Sequence, residues 1–416
     1  MTRETNVLVV GAGPAGLASA IEMKRLGVDR ITVVDREPEA GGMPRMCHHT
    51  GFGIWDFHRI LSGPRYARRY VELAKVSGVE ILTSTVIIGW DDARALTYTS
   101  PSGVGVISGN AVLLATGVRE RPRPARLVPG TRPHGVYTTG SLQRFVYERR
   151  LPVGKRAVIV GAEEVSLSAF MTLREAGLEV AAITTKHPRH QMYFPYSLAK
   201  LWLVDLLNRT PILTSTRVRR ILGLRRVEGV EVVHEDTGRT EVIPCDTVVF
   251  TGDWIPENEV ARSGDIVMDR GTLGPQVDGG FRASRIGIFA AGNLLHGAET
   301  AATSAMEGRM AAHQIARFLE DGVWPEVRLP VHVSSPILWV YPNSISNSDS
   351  RLPRGRLAFR VDRFVDGAAV QVKQGGKTLY TRSFRRLVPN ETLHLPDEWL
   401  EHVDLNGEPL EVTVTG

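Results

Sequence analysis

An α/β fold follows from three observations in this 416-residue sequence. Residues 7–16 run Val-Leu-Val-Val-Gly-Ala-Gly-Pro-Ala-Gly, an apolar strand that enters a complete G-x-G-x-x-G. A second strand–turn–helix begins at Ala157, and from about Pro325 the pattern changes to strand-like alternation. Together they predict two Rossmann-like three-layer nucleotide-binding domains, the second inserted in the first, plus a small C-terminal all-β module. The expected boundaries are 1–118 and 245–325 for the first domain, 119–244 for the inserted lobe and 326–416 for the module.

In the first unit, Gly11 permits the tight turn, Gly13 lets the backbone approach a pyrophosphate, and Gly16 allows close packing of helix on strand. The helix over Leu17–Leu26 points free N–H groups and a positive dipole at the phosphates. A strand over Ile31–Val34 ends at Asp35, an acid placed to accept hydrogen bonds from ribose hydroxyls. A loop over Ala40–Gly53, a helix over Tyr66–Lys75 and a strand over Glu80–Ile88 follow, then a buried strand, Ala111–Gly117, with a Thr-Gly end. Pro122, Pro124, Pro129 and Pro133 mark the crossover out of this domain. The inserted lobe reads as a strand from Ala157, a helix over Leu167–Ala176 and a strand over Val180–Ile183. Thr247–Gly252 repeats the Thr-Gly strand end, Gly287–Asn293 supplies one more strand, and Ala301–Leu319 reads as a long helix. In the module, strands over Leu357–Val361, Ala369–Val372 and Leu410–Val414 are separated by expected turns at Asp366-Gly367 and Gly375-Gly376. It shows no catalytic pattern and suits docking or homo-oligomer formation.

Hydrophobic residues make up 43% of the chain and charged ones 23%, as in ordinary globular proteins. The net charge of +5 is spread through interleaved acids and bases, which argues against nucleic acid as a partner. No apolar run approaches the ~18 residues of a membrane span, and the first strand begins too early for a signal peptide. A cytoplasmic protein without a transmembrane segment is therefore expected. Cys47 and Cys245 are too few for an iron–sulfur cluster or a four-cysteine zinc site, so no metal site is expected and any such centre belongs to another chain.

The stretch VVGAGPAGLA at Val9–Ala18, the strand end Ala115-Thr116-Gly117 and the late GIFAAGN at Gly287–Asn293 resemble the two-dinucleotide-binding-domain flavoproteins related to glutathione and thioredoxin reductases. The resemblance implies FAD in the first domain. It puts Gly11, Gly13, Ala15 and Gly16 on the pyrophosphate, Asp35 and Arg36 at the adenosine ribose, and Val86 at adenine through its backbone. Gly42 and Met43 would lie beside the cofactor, with Ala115, Thr116 and Gly117 at the strand end and Gly292 and Asn293 on the ribityl chain and phosphates. Thr300 and Ala301 would open a helix aimed at the flavin N1–C2=O edge. Asn293 stands where the family usually has Asp.

The loop after Gly41 is where thiol-dependent relatives carry a cysteine pair, and here it holds Cys47 alone, which argues against disulfide reduction. Arg45, Cys47, His48 and His49 are the catalytic candidates: the arginine and histidines to orient an anionic substrate or move protons, or else as packing residues. The second nucleotide motif reads Gly161-Ala-Glu-Glu-Val-Ser166, with Glu163 and Ser166 where working relatives carry Gly. A Glu163 carboxylate about 4 Å from a phosphate charge costs on the order of 4 kcal/mol at an effective dielectric near 20, roughly a thousandfold in affinity. NAD(P) is therefore doubtful, although Lys186, Arg189 and His190 keep NADPH open as an alternative.

The segments GGMPRMCHHTGFG, Leu61–Tyr70, Val136–Val146, VGAEEVSLSA and AAGNLLHGAETA are similar to FAD subunits of multi-subunit dehydrogenases. That subgroup comprises dye-linked proline and hydroxyproline dehydrogenases, opine oxidase, cyanide-forming glycine dehydrogenase and the flavoproteins accompanying glycerol-3-phosphate dehydrogenase. It implies a small amine, amino-acid or hydroxy substrate and companion dehydrogenase or iron–sulfur subunits. A stand-alone NAD(P)H-dependent reductase and a non-catalytic flavin-bearing scaffold are the alternatives.

Overall fold

The computed structural model describes residues 2–415. Its first sheet places parallel strands in the order Glu80–Leu82, Ile31–Val34, Thr2–Val10, Gly103–Leu114. The central strands read as near-continuous apolar runs because helices cover them: Val7, Leu8, Val9 and Val33 are fully buried. Helices Pro14–Arg25 and Ala301–Asp321 pack against each other on this sheet. Gly103–Leu114 pairs with Thr2–Val10 along its length and divides its other edge between two partners. Its first half takes the antiparallel strand Ala95–Ser100, and Val112–Leu114 takes the late strand Ile288–Ala290.

The single strand expected over Glu80–Ile88 is two strands. Glu80–Leu82 stays in the parallel sheet, whereas Val86–Asp92 pairs antiparallel with Ala95–Ser100. Between them Ser84 takes φ 49°, and the amides of Ser84 and Thr85 donate to the carbonyls of Glu37 and Asp35. These bonds hold the bend against the end of the Ile31–Val34 strand.

The second sheet is parallel, in the order Val136–Thr138, Thr247–Phe250, Arg156–Val160, Glu179–Thr184, Ile212–Leu213. Helix Glu164–Glu175 covers one face through Leu167, Phe170 and Leu173. An antiparallel sheet of Thr216–Leu222, Gly229–His234 and Thr240–Pro244 covers the other, packing Val218, Ile221 and Val230 on Val158 and Phe250. Two short antiparallel strands, Val118–Glu120 and Trp254–Pro256, join this lobe to the first sheet.

The C-terminal region is a pair of sheets around Phe359, Leu395 and Trp399. Gly375-Gly376 forms a two-residue hairpin turn with φ of 54° and 77°, as its sequence requires. The turn expected at Asp366-Gly367 is absent: both lie inside strand Val365–Gln374, where Gly367 takes φ 67° without breaking the pairing. Trp339, Tyr341 and Ala358 of this module join the core of the first sheet. Among the described residues no helix is long and apolar enough to cross a membrane.

Candidate functional site

The residues of the first motif converge on one cradle. Gly11 takes φ +111°, and a Cβ there would lie 2.3 Å from the Ala115 carbonyl oxygen; one on Gly16 would lie 1.9 Å from the Gly11 oxygen. These two glycines are required by packing. Gly13 is different, because a Cβ there would meet nothing nearer than the Gly42 Cα at 4.0 Å. Space is left on that side for a ligand. Gly13 caps helix Pro14–Arg25 with no side-chain hydrogen bond and no acid in the first turn, so the amides of Ala15 and Gly16 face outward unopposed, as an anion site needs. Gly42, at φ +65°, and the Gly41 amide, which donates to the Ala12 carbonyl at 2.8 Å, bring the loop after Asp35 to the rim. These features fit the pyrophosphate of a dinucleotide.

Asp35 accepts from the amides of Ala12 at 2.6 Å and Glu37 at 2.9 Å, while burial pushes its carboxyl above the usual range. Val86 lies one residue beyond the tethered Thr85. Arg36 turns from the cradle to pair with Glu257 at 3.1 Å, which also holds Arg119, and the Glu257 carbonyl accepts from the Thr116 hydroxyl at 2.7 Å. Ala115–Gly117 are thereby fixed to the lobe junction.

At the other end of the cradle, a Cβ on Gly292 would lie 2.7 Å from the Ala15 side chain. Asn293 Oδ1 accepts from the Glu299 amide at 3.0 Å and the Ser304 hydroxyl at 2.9 Å. Its oxygen is thus committed within the protein, and the amide donors are what it offers a ligand. Thr300 caps helix Ala301–Asp321 through a bond from the Thr303 amide at 3.2 Å, setting that amino terminus beside Asn293.

Behind this end lies a buried network that sequence patterns alone did not indicate. Glu307 accepts from the Gly292 amide at 3.1 Å and meets His296 Nε2 at 3.0 Å. Burial lowers the His296 pKa, but the Glu307 carboxylate outweighs it and the net shift is upward. Arg360, from the C-terminal module, donates to the Ala298 carbonyl at 2.6 Å and to Glu299 at 2.7 Å. Burial pushes Glu299 up, yet Arg360 and His296 bring it below the usual range. Within reach of these charges, Glu164 at the start of helix Glu164–Glu175 keeps one carboxylate oxygen buried and without a partner. Burial, reduced by Arg360 and reinforced by Glu163 and Glu299, raises it to about 7. Tyr193 and Tyr196 face the same charges, and burial raises both phenols. Three parts of the chain therefore meet at one acid–base cluster. Glu307 lies on the buried stripe of its helix, and Arg360 in a strand buried continuously from Leu357 to Val361.

The loop candidates are brought together differently. Arg45 is enclosed by Glu39 at 3.0 Å, Glu148 at 3.5 Å and Glu37 at 4.0 Å. Cys47 Sγ lies 3.6 Å from the Met43 carbonyl and 3.7 Å from Gln143, and burial pushes its thiol up to about 12. It is a neutral thiol near pH 7 and a poor nucleophile. His48 stacks on Tyr147 at 3.7 Å. His49 meets the Thr50 carbonyl at 3.0 Å, and burial lowers its pKa. Met43, like His48, is exposed, and its methyl approaches Gly140. This loop therefore packs on the inserted lobe at residues 140–148, apart from Glu164 and Arg360.

In the inserted lobe, Glu163 caps its helix with extended backbone, as Gly13 does in the first domain. Its side chain is 3% exposed and folds toward Thr251-Gly252: a Cβ on Gly252 would lie 3.0 Å from the Glu163 carboxyl carbon. Arg126, which donates to the Thr251 carbonyl at 3.0 Å and to that of Gly252, offsets the charge there, while burial raises the Glu163 pKa. The space between turn and strand end is filled by protein.

The family described as "Pyridine nucleotide-disulphide oxidoreductase" matches residues 5–308. Ferredoxin–NADP reductase of Ignicoccus hospitalis is 25% identical, over 77% of this chain and 99% of its own length. An opine oxidase subunit of Agrobacterium tumefaciens is 28% identical over 74% of this chain, which spans 64% of that relative. Thioredoxin reductase of T. acidophilum superposes with a TM-score of 0.62 at 21% identity, covering 76% of this chain and 98% of that one. The last likeness concerns the fold.

Proposed function

Because this chain belongs to the pyridine nucleotide-disulphide oxidoreductase family and is an oxidoreductase of flavoprotein type, we propose that it is the FAD-dependent subunit of a multi-subunit dehydrogenase. Its substrate is a small amine, amino acid or hydroxy compound, which it oxidises or from which it relays electrons. The observation that carries this reading is the contrast between the open cradle at Gly13 and the filled one at Glu163. A chain that holds one dinucleotide and obstructs the second draws its electrons from a source other than bound NAD(P)H. The opine oxidase relative, by its name one part of a larger enzyme, supports the same reading.

Bound FAD supplies a two-electron acceptor. The amides of Ala15 and Gly16 would hold its pyrophosphate and Asp35 its ribose, and the amino terminus of helix Ala301–Asp321 would favour negative charge on the flavin. Glu164, which keeps one buried carboxylate oxygen without a partner among the described residues, is the group we assign to take the N–H or O–H proton that the substrate loses on oxidation. A carboxyl near 7 populates both protonation states at neutral pH, which suits a general base. Arg360 and Glu299 fix the local charge around it.

Anaerobic mixing of the purified flavoprotein with candidate reductants tests the proposal, read as bleaching near 450 nm, roughly the oxidised-flavin band. Bleaching by an amino acid, a secondary amine or glycerol 3-phosphate is expected. Rapid bleaching by NADH or NADPH would replace it with the stand-alone reductase.

A further inference from the structure

The inserted lobe carries an apolar ridge that nothing among the described residues covers. Helix Tyr196–Lys200 continues as a wider, π-type helix over Leu201–Leu207. Its inner side is conventional: Tyr196, Ala199, Leu203 and Val204 pack into the core of the lobe. Its outer side presents Leu198, Leu201, Trp202, Leu206 and Leu207, with Phe194 just before it, exposed by between 43% and 75%. Six large apolar side chains at this exposure amount to roughly 600 Å² in one patch, the size at which a surface marks an interaction site.

Beside the ridge lies an open cavity of about 480 Å³ lined by Arg189, His190, Lys200, Asp205 and Arg209, among others. Lys200 pairs with Asp205 at 2.7 Å and Arg189 with Asp366 at 2.8 Å. Arg209 ends the helix exposed and, among the described residues, without a carboxylate partner. Asp205 is the single acid in the segment 194–209.

We propose that this ridge is a docking surface for a bilayer containing anionic phospholipid. Phe194, Trp202 and the leucines enter the level between head groups and acyl chains, while Arg209, at the edge of the cavity, receives a phosphate head group. A helix with tryptophan, phenylalanine and leucine on one side and basic residues on its flank has the composition of elements that lie in a membrane interface. Interfaces with other proteins disfavour lysine and have no need of a basic cavity at the edge of the patch.

Vesicle flotation of the full-length flavoprotein tests this, with phosphatidylcholine alone and with phosphatidylcholine containing phosphatidylglycerol. Binding to the anionic vesicles is expected, with at least tenfold weaker binding of the Trp202→Glu/Leu206→Glu variant and several-fold weaker binding of Arg209→Glu. Flavin content and circular dichroism of the variants should match the parent, since these side chains face solvent. Absence of vesicle binding by the parent would overturn the proposal. So would a parent that self-associates through the ridge and becomes monomeric in the double variant without any change in vesicle binding.

Discussion

Gly13 and Glu163 cap equivalent helices in two strand–turn–helix units, so a difference of one side chain separates the lobes chemically. Gly13→Glu should leave far-UV circular dichroism unchanged, because no atom lies nearer than 4.0 Å to its Cβ position. It should weaken FAD binding about a thousandfold, in line with ~4 kcal/mol of charge repulsion, measurable by titrating apoprotein with FAD. In the other direction, Glu163→Gly removes the side chain packed against Thr251-Gly252, and NADPH affinity by fluorescence titration should rise at least tenfold. Residue types and spacing made this contrast legible in the sequence. They left open where the Glu163 carboxylate points, because a rotamer is set by neighbours such as Thr251 and Arg126 that lie far away in the chain. The His296–Glu307 pair was invisible for the same reason. Its histidine has a pKa raised above 6.5 in the folded chain, so the stability it adds is complete below about pH 6.5 and lost as pH climbs through the raised value. Urea denaturation at pH 6 and pH 8 should show this loss. His296→Leu should abolish the pH difference and cost about 3 kcal/mol at pH 6 by leaving Glu307 buried without its partner.

At the scale of elements, the cradle depends on two helices held closer than side chains usually allow. A Cβ on Gly308 would lie 2.0 Å from the Ala15 carbonyl oxygen, so helix Ala301–Asp321 rests directly on the first turn of Pro14–Arg25. Gly308→Val should cost about 3 kcal/mol by overpacking and lower FAD occupancy as the Ala15 and Gly16 amides shift, seen as a lower melting temperature and a paler protein. Elements with a strong local pattern were readable: the helix expected over Ala301–Leu319 spans Ala301–Asp321. Where the sequence misled, long-range bonds decided. The break at Ser84 is held by the carbonyls of Asp35 and Glu37, just after strand Ile31–Val34, and Gly367 keeps its place in a ladder fixed by Arg386 and Phe384 opposite its neighbours.

Across the whole molecule, the C-terminal module reaches the candidate site through Arg360. The alternating pattern of its strand gave no hint of this, since contact between distant domains leaves no periodicity. Arg360→Ala should free Glu299 and the loop before helix Ala301–Asp321, shifting the visible spectrum and midpoint potential of the bound flavin. Arg360→Lys, which keeps the charge but loses the fork, should restore the spectrum only in part. Spectra of the two variants, recorded beside their melting curves, distinguish loop positioning from general destabilisation.

The divided edge of strand Gly103–Leu114 has a consequence during synthesis. Val112–Leu114 leaves the ribosome early, but its partner Ile288–Ala290 is not made until the entire inserted lobe has emerged. At 5–20 residues per second that interval is on the order of 10–30 s, during which three bare backbone positions are open to pairing with any passing chain. The helix that closes the cradle, Ala301–Asp321, emerges later still, so the cradle is complete only after that helix has left the ribosome.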